Sequence, residues 1–206
     1  MKKLFIVAIT ALGFTFAAQA QEDGTIGGFE QGDVFIEGTL GFGSTNDKNT
    51  DEKSNGFNFT PKVGFLLNDD FALGAQLDFR SSKTEVGGTD TSEISGFGAG
   101  VFGRYYFLDL GQRFKTYTEL GFAYNSAEDK LADVKANGFG AGLDLGLNYF
   151  VKENIALTFT LDNLVGYSST KLDVSGAKAS SEFNFGIGEV NNPFGGTANF
   201  GILFVF

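Results

Sequence analysis

Eight times along this chain, apolar side chains alternate with small or polar ones at a spacing of two, and that alternation constrains the fold most. The first segment sets Val34, Ile36, Leu40 and Phe42 against Phe35, Glu37, Thr39 and Gly41. The second sets Phe57, Phe59, Pro61, Val63, Phe65 and Leu67 against Asn58, Thr60, Lys62 and Gly64. The same pattern returns over 71–80, 97–107, 114–124, 139–149, 155–162 and 198–206. Successive side chains on a strand point to opposite faces, so each segment has one greasy face and one small, polar face. The segments predict an all-β fold with the chain running up and down between short turns.

The polar faces decide what kind of sheet this is. They hold mostly Gly, Ala, Thr and Asn with isolated charges, a poor surface to offer water. Small residues with a few charges suit a narrow lumen, where eight strands leave room for little more than side chains. The apolar faces must then point outward. They carry aromatics near both strand ends: Phe65, Phe71, Tyr105, Phe107, Phe114, Tyr149 and Phe206 at one, and Phe42, Phe57, Phe79, Phe97, Phe122, Tyr124 and Phe139 at the other. Two such girdles match the two interfaces of a bilayer. The competing architecture, a soluble ligand-binding barrel with its aromatics inside, would need a polar exterior.

The connections alternate in length. Those near 68–70, 108–113 and 151–154 are short; those near 44–55, 81–94, 125–136 and 168–196 are expected to be long loops. Long loops at one end and short turns at the other form the outer-membrane pattern, with the short turns periplasmic. The long connections hold most of the surface charge, including Asp47, Lys48, Asp51, Glu52, Lys53, Lys83, Glu85, Asp90, Glu128, Asp129, Lys130 and Asp133, which read as solvated side chains. Glu182 to Gly188 alternates like a strand yet precedes the last one. It is read as an extension of the last hairpin, or as the early part of a long final strand bulged around Asn191-Asn192-Pro193.

The start of the chain has another character. Lys2 and Lys3 precede an apolar run from Leu4 to Ala18 and an Ala18-Gln19-Ala20 site. These are the parts of a secretory signal peptide, and the run is short of the ~20 apolar residues of a spanning helix. The expected organisation is a signal peptide over 1–20, a polar periplasmic lead-in over 21–32 and a barrel over 33–206. With Cys 0 there are no disulfides and no thiolate metal sites. A net charge of −10 opposes binding to nucleic acid, which needs a basic footprint.

The last strand carries the most specific signal. Ala198, Phe200, Ile202, Phe204 and Phe206 share one face, and Gly201 precedes Phe204-x-Phe206. With the signal peptide and the eight segments, this resembles the small OmpA/OmpX-like outer-membrane β-barrels, over Asp33 to Phe206. The resemblance implies an eight-stranded antiparallel up-and-down transmembrane β-barrel in the cell outer membrane. It also implies contact with outer-membrane lipids and a signal, Gly201, Phe204 and Phe206, read by the barrel-assembly machinery. It names a class whose members differ in function.

The chemistry available narrows that function. His is 0, which removes the histidine that the resemblance to outer-membrane barrel enzymes would imply as general base or acid. Asp69-Asp70 lies in a turn, and the Gly-Ala-Gly runs at 98–100 and 140–142 have no helix to follow them, so neither is a catalytic or phosphate site. No catalytic, cofactor-binding or metal-ligating residue is expected, and no cofactor. The informative residues are charges whose parity turns them inward: Glu37, Asp78, Glu119, Asp144 and Asp162, with Lys62, Arg80, Arg104 and Lys115. Charges at low dielectric are costly unless paired, so a network of ion pairs across the lumen is expected, with Arg80 and Arg104 neutralising carboxylates and Glu119 as partner of Arg104. That predicts a sealed structural barrel displaying acidic loops to an extracellular partner. The alternative is a small passive channel for ions or hydrophobic solutes, with a wet, weakly selective lumen.

The last strand generates a first prediction. Phe206→Asp should impair assembly, read as loss of heat-modifiable, membrane-inserted protein; normal levels of inserted protein would refute it.

Overall fold

The structure is a computed structural model that describes residues 27–186 and 198–206. The expected signal peptide, residues 21–26 of the lead-in, and the bulge around Pro193 lie outside the described residues. The strands are β1 (Val34–Asp47), β2 (Glu52–Asn68), β3 (Phe71–Val86), β4 (Thr89–Leu110), β5 (Phe114–Asp129), β6 (Val134–Lys152), β7 (Ile155–Leu172), β8 (Ser180–Phe185) and β9 (Ala198–Val205). Each of β1 to β7 pairs antiparallel with the next, and β9 lies between β7 and β1. That closes a ring of eight strands, β1 to β7 and β9, and leaves no edge along the paired band. The seam is completed by Val34 and Phe206, which exchange backbone hydrogen bonds of 2.8 and 3.1 Å.

β8 is the segment that did not fit an eight-strand count. It pairs with the outer part of β7, Phe185 opposite Val165 and Ser180 opposite Thr170. β9 pairs with the inner part of the same strand, Ala198 opposite Leu161 and Phe204 opposite Ile155. The two pieces thus follow one another along β7, and β8 continues the last hairpin upward.

The expected long loops are corrected in one respect. Between 44 and 55, 81 and 94, and 125 and 136 the chain is mostly strand. β1 and β2 remain paired out to Asp47 and Glu52, β3 and β4 to Val86 and Thr89, and β5 and β6 to Asp129 and Val134. Period two is silent there because both faces meet water and both are polar. Gly87 and Gly88, both at positive φ, close the β3–β4 hairpin in two residues, as a turn matching the strand twist requires. Ion pairs brace these hairpins, among them Lys83–Asp90 at 2.8 Å and Lys130–Glu93 at 2.8 Å. At the β5–β6 tip, the backbone N–H of Ala132 and the Ser92 hydroxyl hold the Asp129 carboxyl below the usual carboxylate range.

The faces follow the sequence parity. Outward residues at mid-strand are exposed, Val101 at 58% and Leu120 at 62%. The aromatics form cross-strand pairs at both ends of this belt: Phe79 against Phe97 at 5.4 Å toward the hairpins, and Phe114 against Tyr149 at 4.7 Å near the short turns. Inside, the apolar core sits at the short-turn end, where Phe35, Leu66, Phe102, Tyr106, Tyr117, Phe150 and Leu203 are all buried. Pro61, with no N–H to donate, sits where the β2–β3 ladder skips between Phe59 and Lys62.

Glycines make room for that core. Gly64 stands opposite Phe35, Gly74 opposite Phe102 and Gly146 opposite Tyr117. A Cβ at any of the three would collide with the ring across from it. Each inward aromatic therefore lies flat over a bare patch of backbone on the neighbouring strand, which is how three large rings fit so narrow a barrel.

The exposed belt sets an energetic test. Val101→Arg should destabilise the folded barrel in lipid by about 2–4 kcal/mol, the cost of a cation at the bilayer midplane. Ala132→Arg, on an exposed tip, should change it negligibly. Denaturant unfolding in vesicles measures both, and equal effects would mean that the faces are reversed.

Candidate functional site in the barrel lumen

Arg104 is the centre of the lumen. It sits on β4 opposite Glu119 of β5, and both point inward. Its Nε donates to Glu119 Oε2 at 2.7 Å and its Nη1 to Glu37 Oε2 at 2.7 Å, reaching across from β4 to β1. Lys62 of β2 donates to the other oxygen of Glu119. Arg104 is 0% exposed, and Glu37, Glu119 and Lys62 are also buried. Two cations and two anions thus form a neutral layer across the barrel.

Aromatic rings enclose this layer. The guanidinium carbon of Arg104 lies 4.0 Å from the Tyr117 ring centre, 4.9 Å from Phe35 and 5.5 Å from Phe102. Lys62 Nζ lies 5.4 Å from the same Phe102 ring. A cation over a ring face is attracted by the ring quadrupole, and more so when desolvated. The tyrosine hydroxyls are also satisfied: Tyr106 takes a 3.4 Å bond from Arg104, and Tyr117 pairs with Thr160 at 2.7 Å. Asn148 and Thr158 extend the polar chain beside Tyr106. Glu37 Oε1 is buried without a hydrogen-bond partner among the described residues.

Above the layer, toward the hairpins, the lumen widens into a cavity of about 730 Å³. Lys62 and Glu119 belong to its floor, and Thr60, Asp78, Arg80, Asn125, Asp144 and Asp162 to its walls. The inward charges divide accordingly. Glu37, Lys62, Arg104 and Glu119 are brought together. Asp78 takes bonds from Thr60 and Gln76, Asp144 from the backbone of Asn163, and Asp162 from Asn199. Arg80 donates to Asn125 at 3.2 Å instead of to a carboxylate. Lys115 is apart from all of these, paired with Asp109 at 2.9 Å at the short-turn end. Asn163, at φ 55, forms a bulge where β7 carries extra residues opposite Asp144, and that bulge lets its N–H reach the carboxylate.

This geometry can do two things. It fills the lumen at the short-turn end with a desolvated, mutually neutralised layer, and it offers hydrogen-bonding walls to water or polar solutes at the other. A family model for the outer membrane protein beta-barrel domain matches residues 7–188. The chain belongs to that family. It is a barrel of the cell outer membrane, so the apolar belt meets lipid and the short-turn end faces the periplasm.

Relatives agree on the class. Outer membrane porin F of Pseudomonas fluorescens is 25% identical over 167 residues, which are 74% of this chain and 48% of that protein. The chain thus spans about half the length of that relative. Among solved structures, the outer membrane protein OprG of Pseudomonas aeruginosa superposes with a TM-score of 0.52 at 15% identity, covering 88% of this chain and 99% of that one. The N-terminal barrel domain of Pseudomonas aeruginosa OprF gives 0.45 at 14% identity over 86% of this chain and 100% of that one. The OprG likeness is one of fold.

Parity could not reveal which inward residues are level, and it missed Tyr106, Tyr117 and Phe102 as the enclosure of Arg104. Their signal was in the sequence, as large aromatics at inward positions with Gly74 and Gly146 across the strand pairs. It becomes visible only once register is known.

The layer predicts a strongly coupled pair. Arg104→Ala and Glu119→Ala should each lower stability by about 3–5 kcal/mol, because each leaves a buried charge unpaired. The double variant should lose less than the sum. Strictly additive losses in denaturant unfolding would show that the two side chains do not interact.

Proposed function

We propose that this protein is a non-enzymatic outer-membrane barrel with a closed lumen, serving a structural and surface-interaction role through its projecting acidic hairpins. The observation that carries this is Arg104, held between Glu37 and Glu119 and enclosed by Phe35, Phe102 and Tyr117 with no exposed surface. An ion crossing the lumen would have to displace a charge that has given up its water for these partners. The absence of His and Cys from the sequence supports a non-enzymatic role, since it removes the commonest general base and the thiolate nucleophile. The net charge of −10 favours a partner that is not a nucleic acid. The hairpins mix both signs, so recognition there would rest on shape and local pairing. The last strand, with Gly201, Phe204 and Phe206, is the part offered to the barrel-assembly machinery.

A second function, a small passive channel for ions or small hydrophobic solutes, is favoured by one feature, the outward cavity of about 730 Å³, which would be half of a conduction path. The name of the porin relative points the same way. Planar-bilayer recording separates the two. The purified protein should be silent at neutral pH, while Arg104→Ala should show brief conductance events as the layer loosens. Steady single-channel steps from the unaltered protein would overturn the closed reading in favour of the channel.

A further inference from the structure

The polar lead-in contains one aromatic residue, Phe29, within Gly27-Gly28-Phe29-Glu30-Gln31-Gly32. In the structure it does not face solvent. Phe29 is buried inside the periplasmic mouth, its ring 4.4 Å from Tyr106 of β4, 5.4 Å from Phe150 of β6 and 6.1 Å from Phe35 of β1. Those strands are spread around the eight-membered ring, so the segment crosses the mouth and does not lie along one wall.

A turn aims it there. The Asp33 N–H donates to Glu30 carbonyl at 3.1 Å, and Gly32 takes φ 97, a conformation that side chains other than glycine's rarely allow. The chain entering β1 is thereby folded back over the opening. At the far side Gly27 lies so close to the Glu153 carbonyl, in the β6–β7 turn, and to the Phe150 ring that a Cβ would collide with both. Gly28 passes 3.5 Å, measured from an ideal Cβ, from the Lys115 stem.

We propose that Gly27–Gly32 is a retractable strap that closes the periplasmic mouth as a second seal beneath the ion-pair layer. Its attachment explains why it is retractable. Among the described residues, its hydrogen bonds are all at the turn: Gly32 N–H to Leu66 carbonyl at 2.9 Å, Gln31 N–H to Asp69 Oδ1 at 2.9 Å, and those between Glu30 and Asp33. Gly27, Gly28 and Phe29 are held by packing, with no ladder to break. A segment held this way opens at lower cost than the strands beneath it. Its withdrawal would uncover Tyr106, the hydroxyl that Arg104 contacts from above, and so admit water to the underside of the layer. The barrel then has two closures of different kinds. One is electrostatic and fixed to the wall; the other is aromatic and carried on the chain that precedes β1.

The test uses the intact chain, whose lack of cysteine makes any introduced thiol unique. Ala156→Cys places the thiol at a buried, inward position of β7 opposite Phe150. A sulfonated, membrane-impermeant maleimide is then applied to the folded barrel in detergent. With the strap in place the thiol should be inert. Adding Phe29→Ser, or Gly27→Val with Phe29 kept, should raise its modification rate at least tenfold. Gln76→Cys, on the cavity wall above the layer, should react at one rate in every background. Heat modifiability confirms the fold, and Gly27→Val decides the matter should Phe29→Ser fail to assemble. If the Ala156→Cys thiol stays inert in both folded variants, the strap is overturned and the closed lumen stands. If that thiol reacts freely before either change is added, the strap does not close the mouth and is overturned, while the closed lumen, which rests on the layer above, stands.

Discussion

The lumen of this barrel is organised by one desolvated guanidinium. Arg104 has no access to water and lies between two carboxylates on different strands, Glu37 and Glu119. A charge so placed is unfavourable unless every partner is in position; its partners come from β1 and β5, and Lys62 of β2 pairs with one of them, Glu119. The layer therefore requires the ring to be closed and in register before it exists at all. In return it ties together walls that share no backbone hydrogen bonds, since β1 and β4 are not neighbours.

The aromatic packing follows from the same requirement. Phe35, Phe102 and Tyr117 exclude water from the ion pairs and offer ring faces to the cations. These three rings fit because the residue opposite each has no side chain, and Gly64, Gly74 and Gly146 supply those positions. The abundance of glycine is in part a consequence of filling a narrow cylinder with large side chains. Toward the hairpins the inward residues become Asn, Thr and Asp, the rings stop, and the cavity opens.

Besides the closed ring, the structure has a filled periplasmic half, a polar cavity above it and hairpins that continue past the belt as paired strands. Hairpins paired nearly to their tips would lose less conformational freedom on contact with a partner than unpaired loops. The chain that precedes β1 adds a part that a barrel does not need for closure, an aromatic strap across its inner mouth.

The sequence by itself determined the fold class, the number of wall strands, which face meets lipid and which charges share the inward parity. It could do so because period two follows from strand geometry and because a lipid-facing surface has to be apolar wherever it lies. Parity carries no information about height. Only the closed ring decided that Arg104 is level with Glu119 and Glu37 while Arg80 lies higher beside Asn125, because register is set by turns and bulges summed around all the strands. The tertiary structure also decided that the polar-looking hairpins are strands and that β8 continues the last hairpin along β7. Their pairing partners, not their composition, make them so. Phe29 is the clearest case: a lone aromatic among glycines has no period to read, and it acquires a place only when β1, β4 and β6 bring three rings to one mouth.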